Sequence, residues 1–123
     1  MNLLDCTRDN TDKVSFKGHK TIGKCIYVVD GDTIDVAIPW KGSYSYIRVR
    51  FLGVDTPEIR GKFPFSKKKG LEAKKFVQDL LLGSLIALEC EGEDNFGRVL
   101  AKVYSLQSVS DLLIKEGLGK LTI

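Results

Sequence analysis

Apolar and β-branched residues are concentrated in short runs along the first half of the chain, and polar turns separate these runs. Residues 25–29 form one run, which stops at Asp30-Gly31, a dipeptide typical of tight turns. Residues 33–38 and 46–54 form two more, with a glycine-containing hairpin tip at residues 40–43 between them. The pattern predicts a meander of three antiparallel strands.

The second half of the chain adds two helices and two strands. Residues 57–70 are predicted to form a loop, after which apolar residues recur at helical spacing over residues 71–81. Further strands are predicted at residues 84–91 and 99–104, and a short helix at residues 108–116. Five strands, one helix between the third and fourth, and a short C-terminal helix predict an α+β fold, an OB-fold β-barrel.

Length and composition fit one domain. The chain has 123 residues, of which 43% are hydrophobic and 28% are charged, a balance typical of a single globular core. Residues 1–20 are polar and irregular, and we expect them to pack loosely, with disorder at the terminus. Residues 21–123 are expected to form the folded domain.

Charge and cysteine usage exclude some functions without selecting one. A net charge of +3 is too small to identify a nucleic-acid-binding protein. Cys6, Cys25 and Cys90 lack the spacing of a disulfide framework or a zinc site, so they favour a reducing compartment. The sequence shows neither a secretory leader nor a run of 18 apolar residues, so we expect no membrane contact and favour an intracellular site. No obligate protein partner is indicated.

Acidic residues follow two of the predicted strands. Asp32 lies in the turn after the first strand, and Asp55 and Glu58 come directly after the third. Carboxylates that leave adjacent strands can converge on a hard divalent cation, so these three are candidate ligands. The alternative is structural, because Asp-Gly is a common hairpin turn and Asp-Thr-Pro-Glu can cap a turn.

For the basic residues too, the sequence allows either a structural role or a role in binding an anion. Arg50 lies on the same face of the third strand as Arg48, which is typical of a solvated edge, whereas a partly buried guanidinium would need an anion beside it. The predicted loop carries five cations and two phenylalanines, which either bind phosphates and bases or form a solvated loop with rings packed on the barrel. The cations are Arg60, Lys62, Lys67, Lys68 and Lys69, and the rings are Phe63 and Phe65.

Four short motifs, VVDGDT, RFLGVDTPE, FGRVLA and LIKEGLGKL, occur in this order. In order and spacing they resemble the staphylococcal nuclease (thermonuclease) family over about residues 22–121. The resemblance implies an OB-fold barrel and a calcium-dependent endonuclease. Such an enzyme would hydrolyse DNA or RNA, prefer single-stranded regions, show little sequence specificity and leave 3′-phosphates.

The resemblance also implies a calcium (Ca²⁺) site. Asp32 is similar to the family's first calcium ligand and Asp55 to the second, and the backbone carbonyl of Thr56 is implied as a third. Asp30 matches the first acid of the shared motif and is expected to orient its neighbours rather than bind the ion.

Three further residues are similar to the family's reacting groups. Glu58 resembles the carboxylate that polarises the attacking water, and Arg50 and Arg98 resemble the arginines that hold the scissile phosphate. The chemistry fits these residue types, because a carboxylate can act as a general base and guanidinium groups match phosphate geometry. The complete set favours catalysis over a non-catalytic nucleic-acid- or protein-binding module of the same family, and over an unrelated protein-interaction domain.

The sequence departs from the family pattern in two places. Asn95 and Phe96 stand where the family has a lysine and a tyrosine that contact a terminal phosphate. The sequence stops at Ile123, so the family's third helix is not within it. We expect both departures to affect affinity for nucleotide ends and to leave the reaction centre unchanged.

Overall fold

Five strands close into a barrel. The computed structural model describes residues 2–59, 64–105 and 107–122, with only the backbone described at positions 64 and 65. The seven strands are β1 (Lys20–Asp30), β2 (Thr33–Trp40), β3 (Ser43–Phe51), β4 (Val54–Asp55), β5 (Leu85–Glu93), β6 (Val99–Tyr104) and β7 (Lys120–Leu121). The helices are α1 (Pro64–Leu81) and α2 (Val109–Lys115), and a 3-10 helix spans Leu3–Asp5.

The barrel has the strand order β1-β2-β3-β6-β5 and closes through pairing of β1 with β5. All of its pairs are antiparallel except β3 with β6. Along the chain, α1 lies between the first three barrel strands and β5, and α2 follows β6. The predicted α+β OB-fold barrel is therefore confirmed.

The prediction of one continuous third strand over residues 46–54 is wrong. Strand β3 begins at Ser43 and ends at Phe51, since Gly53 adopts a positive φ of 83° that interrupts the extended backbone. The chain then forms the short strand β4, which pairs outside the barrel with β7. This break turns the residues after β3 away from the barrel wall and towards its rim.

The predicted loop over residues 57–70 is also partly wrong, because α1 begins at Pro64 rather than at residue 71. Proline suits the first helical position, where its missing N–H has no partner within the helix and its fixed φ matches helical geometry. As a result, Lys67, Lys68 and Lys69 lie within α1, one turn after its start.

The core fills the barrel and continues beneath both helices. Val36, Val49 and Leu88 are buried on three strands, and Val77 of α1 and Leu113 of α2 belong to the same core. The hydroxyl of Ser110, in the first turn of α2, donates a 2.5 Å hydrogen bond to the carbonyl of Leu52. Helix α2 is thereby attached to the turn between β3 and β4.

Part of the N-terminal segment is attached to the barrel. Glu93 accepts hydrogen bonds from the Ser15 hydroxyl at 2.7 Å and the Phe16 backbone N–H at 2.6 Å. The Phe16 ring packs on Trp40, with ring centroids 5.2 Å apart, and His19 packs edge-on against the same indole. The hairpin-tip tryptophan is therefore half-buried beneath this segment. No helix within the described part of the chain is long and apolar enough to span a membrane.

Gly31 allows α1 to approach the β1–β2 turn closely. A Cβ at this position would lie 2.6 Å from the Cβ of Ala73 and 2.9 Å from Oγ1 of Thr56. Glycine is required here for space, at the point where α1 meets the acidic turn.

We predict that Gly31→Ala lowers the free energy of unfolding by about 1–3 kcal/mol, because the new methyl group overpacks this contact. Ala73→Gly alone should cost about 1 kcal/mol through helix propensity. The double variant should be destabilised by less than the sum of the two single variants, because the clash with the Ala73 methyl group is relieved while the contact with Thr56 remains. Urea denaturation of the four proteins measures this, and strictly additive effects would contradict the packing role of Gly31.

Candidate active site

The turn between β1 and β2 places two carboxylates side by side. Its two central residues are Gly31 and Asp32, and Asp30 pairs with Thr33 across the turn. The backbone N–H of Asp32 donates to the Asp30 carboxylate at 3.1 Å, and the Thr33 hydroxyl donates to the Asp32 carboxylate at 3.0 Å. These bonds orient the nearly buried Asp32 side chain away from the barrel core and towards the rim.

Asp32 also connects this turn to the segment after β4. Its Oδ2 accepts a hydrogen bond from the backbone N–H of Thr56 at 3.2 Å. Thr56 is buried and directly follows Asp55, so its backbone lies next to Asp32 through this N–H and next to Asp55 in the chain. This bond joins two segments that are 24 residues apart in sequence.

Arg50 stands between the acids, and its side chain is only 18% exposed. Its Nη1 donates to the carbonyls of Phe51 and Val54, each at 2.7 Å. Its Nη2 lies 3.2 Å from Oδ1 of Asp55 and 3.5 Å from Oδ2 of Asp32. The sequence left open whether Arg50 lies at a solvated strand edge or is partly buried beside an anion. The structure shows a partly buried Arg50, and its neighbouring anions are carboxylates. The Nε–H is not used in these contacts.

Arg98 is oriented by a residue that sequence reasoning did not select. Asp94 accepts from Nε of Arg98 at 2.7 Å and from the backbone N–H groups of Phe96 and Arg98 at 2.9 and 3.0 Å. The Cζ atom of Arg98 lies 5.6 Å from the centre of the Phe96 ring. Because Asp94 binds Nε, the two terminal nitrogens of Arg98 take no part in this ion pair. An acid four residues before an arginine across a Gly-containing turn was the available signal.

One open cavity of about 190 Å³ brings the predicted site residues together. It is lined by residues from the ends of β1, β3 and β4, from the following loop and from the turn before β6. They are Asp30, Asp32, Arg50, Asp55, Thr56, Pro57, Glu58 and Arg98. Glu58 is exposed on the cavity wall, and Asp55 has a side chain that is 65% exposed. Four carboxylates therefore face two guanidinium groups here.

Burial and charge separate the pKa values of the two acids in the turn. Burial and then the neighbouring Asp32 carboxylate raise the pKa of Asp30 to about 6. Burial acts in the same direction on Asp32, but the hydrogen bond with Asp30, the charge of Arg50 and the Thr56 N–H outweigh it and lower the pKa of Asp32. At neutral pH Asp32 is thus an anion that interacts electrostatically with the Arg50 guanidinium.

The donor set fits a hard cation bound by oxygen atoms. Asp32 and Asp55 both contact Nη2 of Arg50, so their carboxylates face a common point. The excess of carboxylates over guanidinium groups also favours a positive ion. Within residues 2–59, 64–105 and 107–122, however, no three acidic, histidine or cysteine side chains form a metal cluster. The expected convergence of Asp32, Asp55 and Glu58 on one ion is therefore not formed by their side chains in this structure.

The predicted basic surface is only partly within the described residues. Lys67 and Lys68 are exposed on α1, and Nζ of Lys69 lies 3.8 Å from the Glu72 carboxylate. Lys69 also lines a second cavity, of about 420 Å³, beside Asp55 and Thr56. Arg60, Lys62 and Phe63 lie outside the described residues, as does the Phe65 side chain.

Comparison with known proteins finds relatives that are named as nucleases. The chain is 36% identical over 101 residues to a thermonuclease of Staphylococcus hyicus, which covers 79% of this chain and 57% of that protein. It is 36% identical over 96 residues to the endonuclease YncB of Bacillus subtilis, covering 75% and 44%. It is 37% identical over 113 residues to an uncharacterized protein of Bacillus anthracis, covering 87% and 50%. The chain thus spans about half the length of these curated relatives.

A family model described as staphylococcal nuclease homologue matches residues 48–122. The matched region contains Arg50, Asp55, Glu58 and Arg98, and it begins after the turn that supplies Asp30 and Asp32. Because the match covers more than half of the sequence, and the barrel is the fold that this sequence resemblance implied, the chain belongs to the staphylococcal nuclease homologue family.

Proposed function

We propose that the protein is a calcium-dependent endonuclease that hydrolyses phosphodiester bonds of single-stranded or unpaired DNA or RNA with little sequence preference. The observation that carries this proposal is the cavity of about 190 Å³ at the barrel rim, which is lined by carboxylates and guanidinium groups from three separate segments. The names of two relatives, endonuclease and thermonuclease, support the same reaction class. Residues 21–123 are proposed as the domain that performs it.

Glu58 is proposed as the general base. It is exposed on the wall of the cavity, where a water molecule can lie between it and a bound phosphate. The water oxygen attacks phosphorus as Glu58 accepts its proton, and the bond to the 5′-oxygen breaks. The products are a 3′-phosphate and a 5′-hydroxyl that takes its proton from solvent.

The two arginines are proposed to stabilise the charge that develops on the phosphate. Asp94 holds Nε of Arg98, which leaves both terminal nitrogens of Arg98 to donate to phosphate oxygens. Arg50 is fixed by the Phe51 and Val54 carbonyls, and its Nη2 lies within 3.5 Å of the Asp32 and Asp55 carboxylates. Arg50 therefore positions the carboxylates as well as the substrate.

Asp32, Asp55 and the carbonyl of Thr56 are the proposed calcium ligands, and Asp30 orients Asp32 from the other side of the turn. When bound, the ion supplies positive charge to the phosphate oxygens and lowers the pKa of a coordinated water. The basic residues Arg60, Lys62, Lys67, Lys68 and Lys69 are proposed to bind the nucleic-acid backbone.

We predict that Glu58→Gln lowers the turnover number on denatured DNA by about 10²–10⁴-fold, the usual contribution of a general base. Glu91→Gln is the matched control, because Glu91 is exposed on β5 and does not line the cavity. Thermal melting should show that both variants fold. Full activity of Glu58→Gln would show that Glu58 is not the base, and binding without cleavage by the wild-type protein would identify a non-catalytic module.

We predict that EGTA abolishes cleavage and that added calcium restores it. Calcium at 100 times its dissociation constant should also raise the free energy of unfolding by about 2.7 kcal/mol, since the ion binds only the folded chain. Asp55→Asn should abolish this stabilisation, whereas Asp79→Asn, an exposed acid on α1, should keep it. Cleavage that continues in EGTA, or an equal calcium response in both variants, would contradict the calcium site.

We predict that replacing Lys67, Lys68 and Lys69 by alanine weakens binding of a single strand. The slope of log affinity against log salt should fall by about 0.7 for each phosphate that is no longer neutralised by a lysine. The control is a triple variant of Lys13, Lys17 and Lys20, which carries the same charge change on the exposed segment before and at the start of β1. A salt slope equal in the two variants would indicate that the lysines of α1 are only solvated.

A further inference from the structure

The outer surface of β1 to β3 carries three planar side chains next to the candidate active site. Asp35 of β2 pairs with Tyr27 of β1 on one side and with Arg48 of β3 on the other, and Tyr46 precedes Arg48 by two residues on the same face. Tyr27 is 55% exposed, Tyr46 is 65% exposed, and the Arg48 side chain is 49% exposed. We call these three side chains the Tyr27–Arg48–Tyr46 face.

The guanidinium in this face is held in a fixed orientation. Nε and Nη2 of Arg48 donate to the two oxygens of Asp35 at 2.9 and 3.2 Å, a bidentate pair. Asp35 itself is only 6% exposed. The hydrogen bond and charge of Asp35, followed by the two tyrosines, raise the pKa of Arg48. The half-exposed guanidinium is thus held in one orientation, on the same face of the sheet as the two tyrosines.

A groove joins this face to the candidate active site. It has a volume of about 620 Å³ and runs between β1 and α1, lined by Tyr27 and Val29 on one side and Lys74 on the other. It shares Asp30 and Glu58 with the cavity that holds the acids and arginines. A chain leaving that cavity along this groove therefore passes Lys74 and reaches Tyr27 first.

We propose that the Tyr27–Arg48–Tyr46 face is a subsite for the bases of single-stranded nucleic acid next to the scissile phosphodiester. The inference rests on the proposed nuclease function and adds where the flanking nucleotides bind. Neighbouring strands are about 4.8 Å apart, so Tyr27 and Arg48, two strands apart, are separated by about 10 Å, which is within the span of a few nucleotides. Exposed rings and a fixed guanidinium plane stack on any base, and Lys74 attracts the backbone.

This subsite accounts for a preference for unpaired strands. Bases in a duplex are stacked and paired, so their faces are not accessible to protein rings, whereas the bases of a single strand are. Stacking also carries little sequence information, because every base has a π-face. Both properties match the substrate class proposed for the cavity.

The experiment removes the tyrosine rings and leaves Arg48 in place. Removal of Arg48 would leave the buried Asp35 carboxylate without its ion-pair partner. The test variant is Tyr27→Leu/Tyr46→Leu, and Tyr27→Phe/Tyr46→Phe keeps the rings without the hydroxyls. Tyr44→Leu is the matched control, since it removes an exposed tyrosine of β3 at the end of the strand farther from the cavity. Each protein is assayed with calcium on a 20-nucleotide single strand and on a dinucleotide, and its melting temperature is recorded.

The double leucine variant should raise KM for the 20-nucleotide strand about tenfold or more, because two bases no longer have a ring to stack on. Its kcat, and its KM for the dinucleotide, should stay at the wild-type values. The double phenylalanine variant and Tyr44→Leu should behave as wild type. If the double variant melts below the assay temperature, the two single leucine variants replace it, each with a severalfold rise in KM.

An unchanged KM for the long strand, or an equal rise for both substrates, would overturn the subsite. If the wild-type protein cleaves neither substrate, the proposed function fails, and fluorescence anisotropy of a labelled 20-nucleotide strand then tests the face by itself. An unchanged dissociation constant in the double leucine variant would overturn the subsite there too. A wild-type dimer that this variant dissociates, with cleavage unchanged, would instead make the face an interface between two copies.

Discussion

The contacts of the Arg50 guanidinium determine how the candidate site is assembled. Nη1 binds the Phe51 and Val54 carbonyls and so fixes the turn after β3, while Nη2 contacts Asp32 and Asp55. A group that is 18% exposed and permanently charged requires such partners, since an unpaired guanidinium would give up its hydration without compensation. The same contacts bring acids from two distant segments to one point. One side chain therefore links the turn after β3 to both acids of the site.

Much of this arrangement was predictable from the sequence, because the site residues stand at the ends of strands. The Asp30-Gly31 dipeptide marked a turn between two apolar runs, and Asp55 marked the end of another. Such ends meet at one rim of an OB-fold barrel, and together with the family resemblance this allowed seven residues separated by up to 68 positions to be assigned to one site. Residue roles remain proposals, although the cavity itself is present.

Other features depended on tertiary structure that local patterns do not contain. Pro64 was interpreted as a loop residue, but its fixed φ begins α1 and places the lysines within the helix. Gly53 breaks an otherwise continuous apolar run, and β4 exists only because β7, more than 60 residues later, pairs with it. The bond between Asp94 and Arg98 is local but depends on the shape of the turn. A pattern of hydrophobic residues cannot show which polar side chains meet.

Asp32 and Asp55 are proposed to bind one cation together, and the proposed function depends on this shared site. Nuclear magnetic resonance of the protein with ¹³C-labelled aspartate carboxyl groups tests this most directly during a calcium titration. We predict that the Asp32 and Asp55 carboxyl signals shift together with a single dissociation constant, while the exposed Asp79 signal stays in place. Signals of Asp32 and Asp55 that do not move, or that follow different dissociation constants, would contradict a shared calcium site.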